Sequence, residues 1–167
     1  MGRNKALVEV GGTPMALLVA DTLSAAGCEP VVLVGGDPGD LAALELRVVP
    51  DGRPGEGPLG GVLTALDSAA GDVVVVACDL PHLTTGVIET IVAMAAGNPD
   101  ADVVAARTDR VEPGCALWRQ SAREVVAASV ASGERAVHRA LARLRAVEVV
   151  VPADALRNIN TPDDLAR

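Results

Sequence analysis

The sequence predicts an α/β protein in which an open sheet carries helices on both faces. Short aliphatic runs alternate along the chain with segments that open on helix-start signals. One run, residues 73–77, is wholly apolar and mostly β-branched, as is typical of a strand buried on both faces in the middle of a parallel sheet. Asp51 and Asp79 each follow such a run, and ligands of open α/β sheets bind outside the carboxyl ends of the strands.

Length and composition favour one domain with an aliphatic core. The chain has 167 residues, and a single domain over residues 1–167 should bury roughly 70 % of its unfolded surface. With one Trp, no Phe and no Tyr, the chain has little aromatic surface on which the bases of single-stranded nucleic acid could stack. The net charge of -8 argues against nucleic acid and anionic membranes as partners.

No apolar run approaches a membrane span and no signal peptide opens the sequence, so we expect a soluble cytoplasmic protein, either a monomer or a weak oligomer. Cys28, Cys78 and Cys115 are odd in number, far apart and surrounded by apolar residues, which predicts reduced core thiols. Neither His82 nor His138 has a partner at metal-ligand spacing.

The chain opens with a short basic segment that contains Arg3 and Lys5. From the residues alone, solvated terminal charges are a better interpretation than a polyphosphate site. A short extended piece and turn over residues 8–12 precede Thr13 and Pro14, which are predicted to be the N-cap and first residue of a helix that runs to about Ala26. Gly27 supplies the left-handed stop.

The next elements repeat the pattern of strand then helix. Residues 30–34 form a strand that ends at two glycines, and Asp37 with Pro38 starts a short helix. A third strand begins at Arg47, and Asp51 lies just beyond its end.

Residues 51–61 are the part of the chain richest in Gly and Pro, and they predict irregular structure. Such a segment is either a linker or a shaped ligand-binding loop. Because the segments on both sides belong to one fold, the second interpretation is favoured, with the loop leading into a helix over about residues 59–70.

Asp79 stands where the strand of residues 73–77 ends, and Pro81 then turns the chain away from the sheet. Two interpretations are about equally balanced on this pattern alone. Asp79 either caps the turn into the next helix or, presented by a rigid strand, holds a metal or a phosphate-bound metal.

The second half continues the alternation. The predicted elements are a helix from Thr84 or Thr85 to about residue 96, strands over residues 102–106, 115–118 and 147–151, and helices over residues 120–131 and 135–144. Trp118 is predicted to lie in the core, with a pocket wall as the alternative. Thr161, Pro162 and Asp164 resemble the start of a final helix, an account that leaves Asn158 and Asn160 unexplained.

The elements alone do not indicate a reaction, but five sequence segments in a fixed order do. They are residues 1–7 (Met-Gly-Arg-Asn-Lys-Ala-Leu), 10–14 (Val-Gly-Gly-Thr-Pro), 50–61 (Pro-Asp through Gly-Pro-Leu-Gly-Gly), 77–81 (Ala-Cys-Asp-Leu-Pro) and 158–165 (Asn-Ile-Asn-Thr-Pro-Asp-Asp-Leu), with residues 113–119 as a sixth. Together they resemble the molybdenum cofactor guanylyltransferases. The resemblance implies a Rossmann-like, three-layer α/β/α fold with an open, mostly parallel sheet of the nucleotide-diphospho-sugar transferase type.

The resemblance also implies an activity, namely transfer of GMP from GTP to the terminal phosphate of molybdopterin cofactor, with release of pyrophosphate. By the same resemblance Asp79 is the Mg²⁺ ligand, Lys5 contacts the triphosphate, and Asp51 is an acidic residue of the nucleotide site. Asn158 and Asn160 are further candidate partners of the metal. The Gly-Pro-Leu-Gly-Gly form of residues 57–61 favours GTP over CTP.

The chain departs from the family at its start. Asn4 stands where the family has an aspartate, and Met1 aligns just after the family's first strand and Gly-Gly-x-Ser-x-Arg loop. We therefore expect that the start is assigned too late, and that the chain as written is aggregation-prone and nearly inactive.

Two other functions stay open. One is a non-catalytic nucleotide-binding or regulatory module of the same fold, and the other is a cytidylyltransferase or another nucleotidyltransferase with a different acceptor. A dinucleotide-dependent oxidoreductase is disfavoured because no Gly-x-Gly-x-x-Gly joins a strand to a helix.

Overall fold

The computed structural model describes residues 5–159. The strands are β1 (Glu9–Val10), β2 (Thr13–Pro14), β3 (Val32–Val34), β4 (Arg47–Val49), β5 (Val73–Val76), β6 (Val103–Arg107), β7 (Val111–Trp118) and β8 (Ala146–Val150). The α-helices are α1 (Met15–Ala25), α2 (Pro38–Leu41), α3 (Gly57–Ser68), α4 (Thr85–Gly97), α5 (Arg123–Ala131) and α6 (Val137–Leu141). Short 3₁₀ turns cover Lys5–Leu7, Ala42–Leu44, Gln120–Ala122 and Ala153–Leu156.

The long strands form two hydrogen-bonded groups. β3 and β4 pair in parallel, while β5, β7, β6 and β8 form a four-stranded sheet in that order. In this sheet β6 and β8 are parallel, and β7 runs antiparallel to both of its neighbours. Strands β1 and β2 make a small separate antiparallel pair.

The prediction that β5 lies in the middle of a parallel sheet is wrong for the described residues. β5 lies at one end of the four-stranded sheet, and its observed neighbour β7 is antiparallel, with Val75 opposite Ala116. The apolar run predicts packing on two faces, which is observed although each of its valines is only partly buried. The run carries no information about the direction of the neighbouring strand. That direction follows from the turn that sends β6 directly back as β7.

The valines of β5 show the three layers directly. Val74 and Val76 pack with the cluster that contains Val19 of α1 and Ile88 of α4, whereas Val73 and Val75 pack with the cluster formed by α3, α5 and α6. Since alternate side chains of a strand point to opposite faces, helices cover the sheet on both sides. The predicted α/β/α class is confirmed.

The core is aliphatic, as expected. Trp118 is fully buried in the cluster with α3, α5 and α6, so its predicted core position is confirmed. The cysteines are free thiols, and burial raises the pKa of the fully buried Cys115 to about 12. Within residues 5–159, no helix has the length and apolarity needed to cross a membrane.

The helix ends match the sequence in part. Asp37 caps α2 as predicted, since its carboxylate accepts hydrogen bonds from the backbone N–H groups of Gly39 (2.7 Å) and Asp40 (3.1 Å). Gly27 adopts a φ of 82° after α1, which confirms the left-handed stop. Thr13, however, pairs with Val10 as part of β2, so Pro14 and not Thr13 is the N-cap of α1.

The other differences concern length. α3 begins at Gly57, two residues before its predicted start, and the helix expected over residues 135–144 is observed only over Val137–Leu141. Residues 120–131 divide into a 3₁₀ turn followed by α5. The predicted capping box at residues 161–164 lies outside the described residues.

Candidate nucleotide-binding site

Asp51 holds the loop that follows β4. Its Oδ1 atom accepts a hydrogen bond from the backbone N–H of Arg53 (2.9 Å) and another from the Thr64 hydroxyl (3.2 Å). Thr64 lies two turns into α3 and is buried, so a single carboxylate connects the start of the loop to the helix that ends it. Gly35, at the end of β3, lies so close that a Cβ there would be 3.5 Å from Asp51 Cβ.

The loop over residues 52–56 is shaped and is not a linker. A Cβ atom at Gly60 would lie 2.9 Å from Glu56 Cβ and 3.2 Å from the Arg53 carbonyl oxygen, so the loop packs tightly on the first turn of α3. Arg53 also forms an ion pair with Asp67 of α3 (2.8 Å), which Arg123 of α5 approaches from the other side (2.6 Å). Residues 52–56 are therefore a shaped loop, whereas residues 57–61, also predicted to be irregular, lie in α3. That the loop binds a ligand stays a prediction.

Asp79 lies three residues beyond β5 and faces a cation. The Nζ atom of Lys5 is 3.3 Å from Asp79 Oδ2, and the Asp79 side chain is only 17 % exposed. The N-cap position of α4 is occupied by Thr84, so Asp79 does not cap that helix. The interpretation of Asp79 as the cap of the next helix is therefore wrong, while its role as a ligand of a metal or a phosphate-bound metal stays a prediction.

Segments that are distant in sequence converge on residues 77–79. Lys5 comes from the start of the chain, and the backbone N–H of Ile159 donates to the Asp79 carbonyl oxygen at 3.1 Å. The N–H of Ala77 donates to the carbonyl oxygen of Gly114 at 2.7 Å. The two residues are so close that a Cβ added to Gly114 would lie 3.3 Å from the Cβ of Ala77. Four of the six sequence segments thus meet at the end of β5.

Asn158 directly precedes Ile159 and is exposed, so the backbone contact brings it into the neighbourhood of Asp79. Asn160, the other predicted partner of the metal, lies outside the described residues. Asp51 belongs to a different strand end and contacts the loop and α3.

The donor set fits a metal that arrives with phosphates. Among residues 5–159 no three His, Cys, Asp or Glu side chains cluster as a metal site. Mg²⁺ needs only one or two protein carboxylates when phosphates and water supply its other ligands, and Asp79 offers one partly exposed carboxylate. Burial, reinforced by the charge of Asp79, raises the pKa of the neighbouring Cys78 thiol.

Sequence reasoning missed Thr64 and the ionic partners of the loop. Thr64 is a buried polar residue within the apolar stripe of α3, and such an exception is the kind of signal that could have identified it. Arg53, Asp67 and Arg123 come from three separate elements and have no common spacing in the sequence.

Comparisons with known proteins identify the family. The family model described as "MobA-like NTP transferase domain" matches residues 1–157. The chain belongs to this family. It is therefore an enzyme of the nucleotidyltransferase type.

Curated relatives cover nearly the whole chain. A protein of Cereibacter sphaeroides named "Molybdenum cofactor guanylyltransferase" is 36% identical over 171 residues, which cover 99% of this chain and 86% of the relative. A protein of the same name from Rhodobacter capsulatus is 37% identical over 176 residues, covering 100% of this chain and 87% of the relative.

Solved structures agree with this fold. Molybdopterin-guanine dinucleotide biosynthesis protein A from Archaeoglobus fulgidus superposes with a TM-score of 0.82 at 26% identity, covering 99% of this chain and 88% of that protein. The 2-C-methyl-D-erythritol 4-phosphate cytidylyltransferase from Thermus thermophilus gives a TM-score of 0.70 at 17% identity, covering 97% and 90% of the two chains. At that identity the second likeness shows the fold alone, and the predicted nucleotidyltransferase type of sheet is confirmed.

Proposed function

We propose that this protein transfers GMP from GTP to the terminal phosphate of molybdopterin cofactor and releases pyrophosphate. The observation that carries the proposal is the contact between Lys5 Nζ and Asp79 Oδ2 at the end of β5, where four of the sequence segments meet. A carboxylate and an ammonium group side by side suit a metal-bound triphosphate, because one can ligate the metal while the other neutralises phosphate charge. The names of the relatives supply the nucleotide and the acceptor.

Asp79 would hold Mg²⁺ through its carboxylate, and Lys5 would contact the triphosphate. Asn158, which precedes the Ile159 N–H that donates to Asp79, would be a further partner of the metal, as would Asn160, which lies outside the described residues. When bound, Mg²⁺ supplies charge neutralisation at the phosphates.

Asp51 has a different role from Asp79. Its Oδ1 atom is already occupied by the Arg53 N–H and the Thr64 hydroxyl, so this carboxylate shapes the nucleotide loop. The glycines of residues 57–61 bring bare backbone to the start of α3, where N–H groups not used within the helix favour an anionic or carbonyl-bearing ligand.

The reaction needs alignment more than it needs a strong base. A terminal phosphate oxygen of the acceptor attacks the α-phosphorus of GTP, and the bond from that phosphorus to the oxygen that bridges to the β-phosphate breaks. Pyrophosphate leaves with the bonding electrons. Because the attacking phosphate is already anionic at neutral pH, the residues of this chain act by holding the two substrates in line and by neutralising charge on the leaving group.

The direct test is to incubate the protein with GTP, Mg²⁺ and molybdopterin cofactor and to measure pyrophosphate together with the guanylylated product. Pyrophosphate release that requires all three components is the expected result. Turnover with CTP and not with GTP would favour a cytidylyltransferase. Nucleotide binding without turnover on any acceptor would favour the non-catalytic module.

A further inference from the structure

The connection between α5 and α6 contacts the loop over residues 52–56. The Nε atom of Arg135 donates a hydrogen bond to the carbonyl oxygen of Gly55 (3.0 Å), and its guanidinium lies 3.4 Å from the Glu56 carboxylate. A Cβ atom at Gly57 would lie 3.5 Å from Arg135 Cβ. One side chain therefore contacts Gly55 and Glu56 and lies close to Gly57, at the point where the loop becomes α3.

The contact with Glu56 has a particular role. The Oε2 atom of Glu56 is buried and accepts no hydrogen bond from any residue in the described part of the chain. A buried carboxylate oxygen is unfavourable without compensating charge, and the guanidinium of Arg135 supplies it. Since the Glu56 side chain also packs over Gly60, this ion pair holds the loop against the first turn of the helix.

Arg135 itself is fixed by its own segment. The Glu134 carboxylate accepts hydrogen bonds from the backbone N–H groups of Arg135 (3.0 Å) and Ala136 (2.9 Å) and from the guanidinium of Arg139 (3.1 Å). The N–H of Glu134 donates to the Ser129 carbonyl oxygen at 3.0 Å. The backbone of Arg135 thus belongs to a hydrogen-bonded turn, from which its side chain extends to the loop.

Apart from the contacts of Arg135, the end of the loop is held by the backbone N–H of Glu56, which donates to the Arg53 carbonyl oxygen (3.1 Å), and by the packing of Glu56 on Gly60. The contacts made by Asp51 and Arg53 hold the first part of the loop, whereas Gly55 and Gly57 both adopt positive φ values in a segment of high intrinsic freedom. We propose that Arg135 is a positioning residue that clasps residues 55–57 and so keeps the loop in its nucleotide-binding shape without touching the nucleotide. What the loop binds rests on the proposed function, whereas the clasp does not.

The test compares Arg135→Met with the parent and with Arg107→Met. Arg107, on β6, is also an exposed arginine paired with a glutamate, Glu148, so its variant controls for loss of a surface arginine. Hydrogen exchange of the amides of residues 55–57 is measured without nucleotide. We expect exchange to be about tenfold faster in Arg135→Met and unchanged in Arg107→Met.

Steady-state kinetics supply the second readout. We expect the KM for GTP to rise about tenfold in Arg135→Met with kcat changed less than about twofold, because a loosened loop weakens binding more than it alters the reacting groups. Arg135→Lys keeps the charge but lacks the planar guanidinium. Its hydrogen exchange at residues 55–57 and its KM for GTP should therefore lie between those of Arg135→Met and the parent. This conservative variant also provides the comparison if Arg135→Met fails to fold.

The outcomes separate the clasp from the activity. Unchanged exchange at residues 55–57 in Arg135→Met would overturn the clasp, and a fall in kcat without faster exchange would show a direct contact with substrate instead. Faster exchange with an unaltered KM would overturn the link to nucleotide binding. If the parent neither binds nor uses GTP, the proposed function fails, while the exchange comparison still decides whether Arg135 holds the loop.

Discussion

At the scale of single residues, Asp79 is the position on which the proposed chemistry depends most. It is presented by the end of a strand, is mostly buried and contacts Lys5, and its backbone anchors Ile159. Replacing a carboxylate with an amide of the same shape keeps the packing and removes the charge that a metal requires. Its substitution therefore separates metal binding from folding.

We expect Asp79→Asn to lower the affinity for Mg-GTP by at least about tenfold while the unfolding transition stays cooperative. Titration calorimetry with GTP in the presence and absence of Mg²⁺ measures this change. Asp21→Asn, at an exposed position on α1, is the matched control and should bind like the parent. Equal binding by Asp79→Asn and the parent would show that the metal assignment is wrong.

Thr64 carries a second prediction at this scale. Its hydroxyl donates to the Asp51 carboxylate from inside α3, and valine has the same shape without the donor. Loss of one hydrogen bond to a charged group costs about 1.5 to 3 kcal/mol, so Thr64→Val should loosen the loop and raise the KM for GTP by roughly tenfold or more. Thr90→Val removes a comparable hydroxyl from an exposed turn of α4 and should leave the kinetics unchanged.

At the scale of elements, the sequence identified the local features well and the long-range pairing poorly. The cap at Asp37 and the stop at Gly27 were predictable because each depends on neighbours a few residues away. The position of β5 was not predictable, because its partner β7 lies about forty residues further along the chain and no residue of β5 specifies that strand's direction.

The same distinction applies to the site. Asp79 and Lys5 were identified through the family's segments and are observed in contact, whereas the network of Arg53, Asp67 and Arg123 joins elements that have no shared pattern in the sequence.

Asp102 connects several elements and carries a prediction about pH. Its carboxylate accepts hydrogen bonds from the Arg145 backbone N–H (3.0 Å) and Nε (3.0 Å) and from the Ser121 hydroxyl (2.6 Å). These contacts join the start of β6 to the segment before β8 and to the turn before α5. Hydrogen bonds from the Arg145 side chain, followed by that from Ser121, hold the pKa of Asp102 well below its usual range.

A lowered pKa in the folded state means that the stabilisation is present at neutral pH and is lost as the pH falls below the unfolded value of about 4. We expect Asp102→Asn to reduce the free energy of unfolding by about 2 kcal/mol at pH 7, an intermediate value because Arg145 is largely exposed. The difference from the parent should shrink below about pH 4. Urea unfolding of both proteins at pH 7 and below about pH 4 measures this difference in the free energy of unfolding.

The control for this prediction is Glu148→Gln, which removes the carboxylate of a surface pair with Arg107. An exposed pair contributes about 0 to 1 kcal/mol, so this variant should unfold almost like the parent. If Asp102→Asn were no less stable than Glu148→Gln at pH 7, the network around Asp102 would not stabilise the fold.

At the scale of the whole molecule, substrate binding and folding stability are linked. A ligand that binds only the folded protein stabilises it by about 2.7 kcal/mol at a hundred times its dissociation constant. The site joins the start of the chain to the end of β5 and to the segment at Ile159, so occupancy should stabilise the molecule against global unfolding. The nucleotide preference can therefore be measured without the acceptor.

We expect Mg-GTP at a hundred times its dissociation constant to raise the midpoint of thermal unfolding by about 5 to 10 °C. Mg-CTP at the same concentration should raise it less, because the Gly-Pro-Leu-Gly-Gly form of residues 57–61 resembles that of the guanylyltransferases. GTP with excess chelator should give little shift if the triphosphate binds through a metal on Asp79. A larger shift with CTP than with GTP would move the protein to the cytidylyltransferases, whose fold it shares. Equal shifts with and without Mg²⁺ would instead remove the metal from nucleotide binding and leave Lys5 as the main phosphate contact.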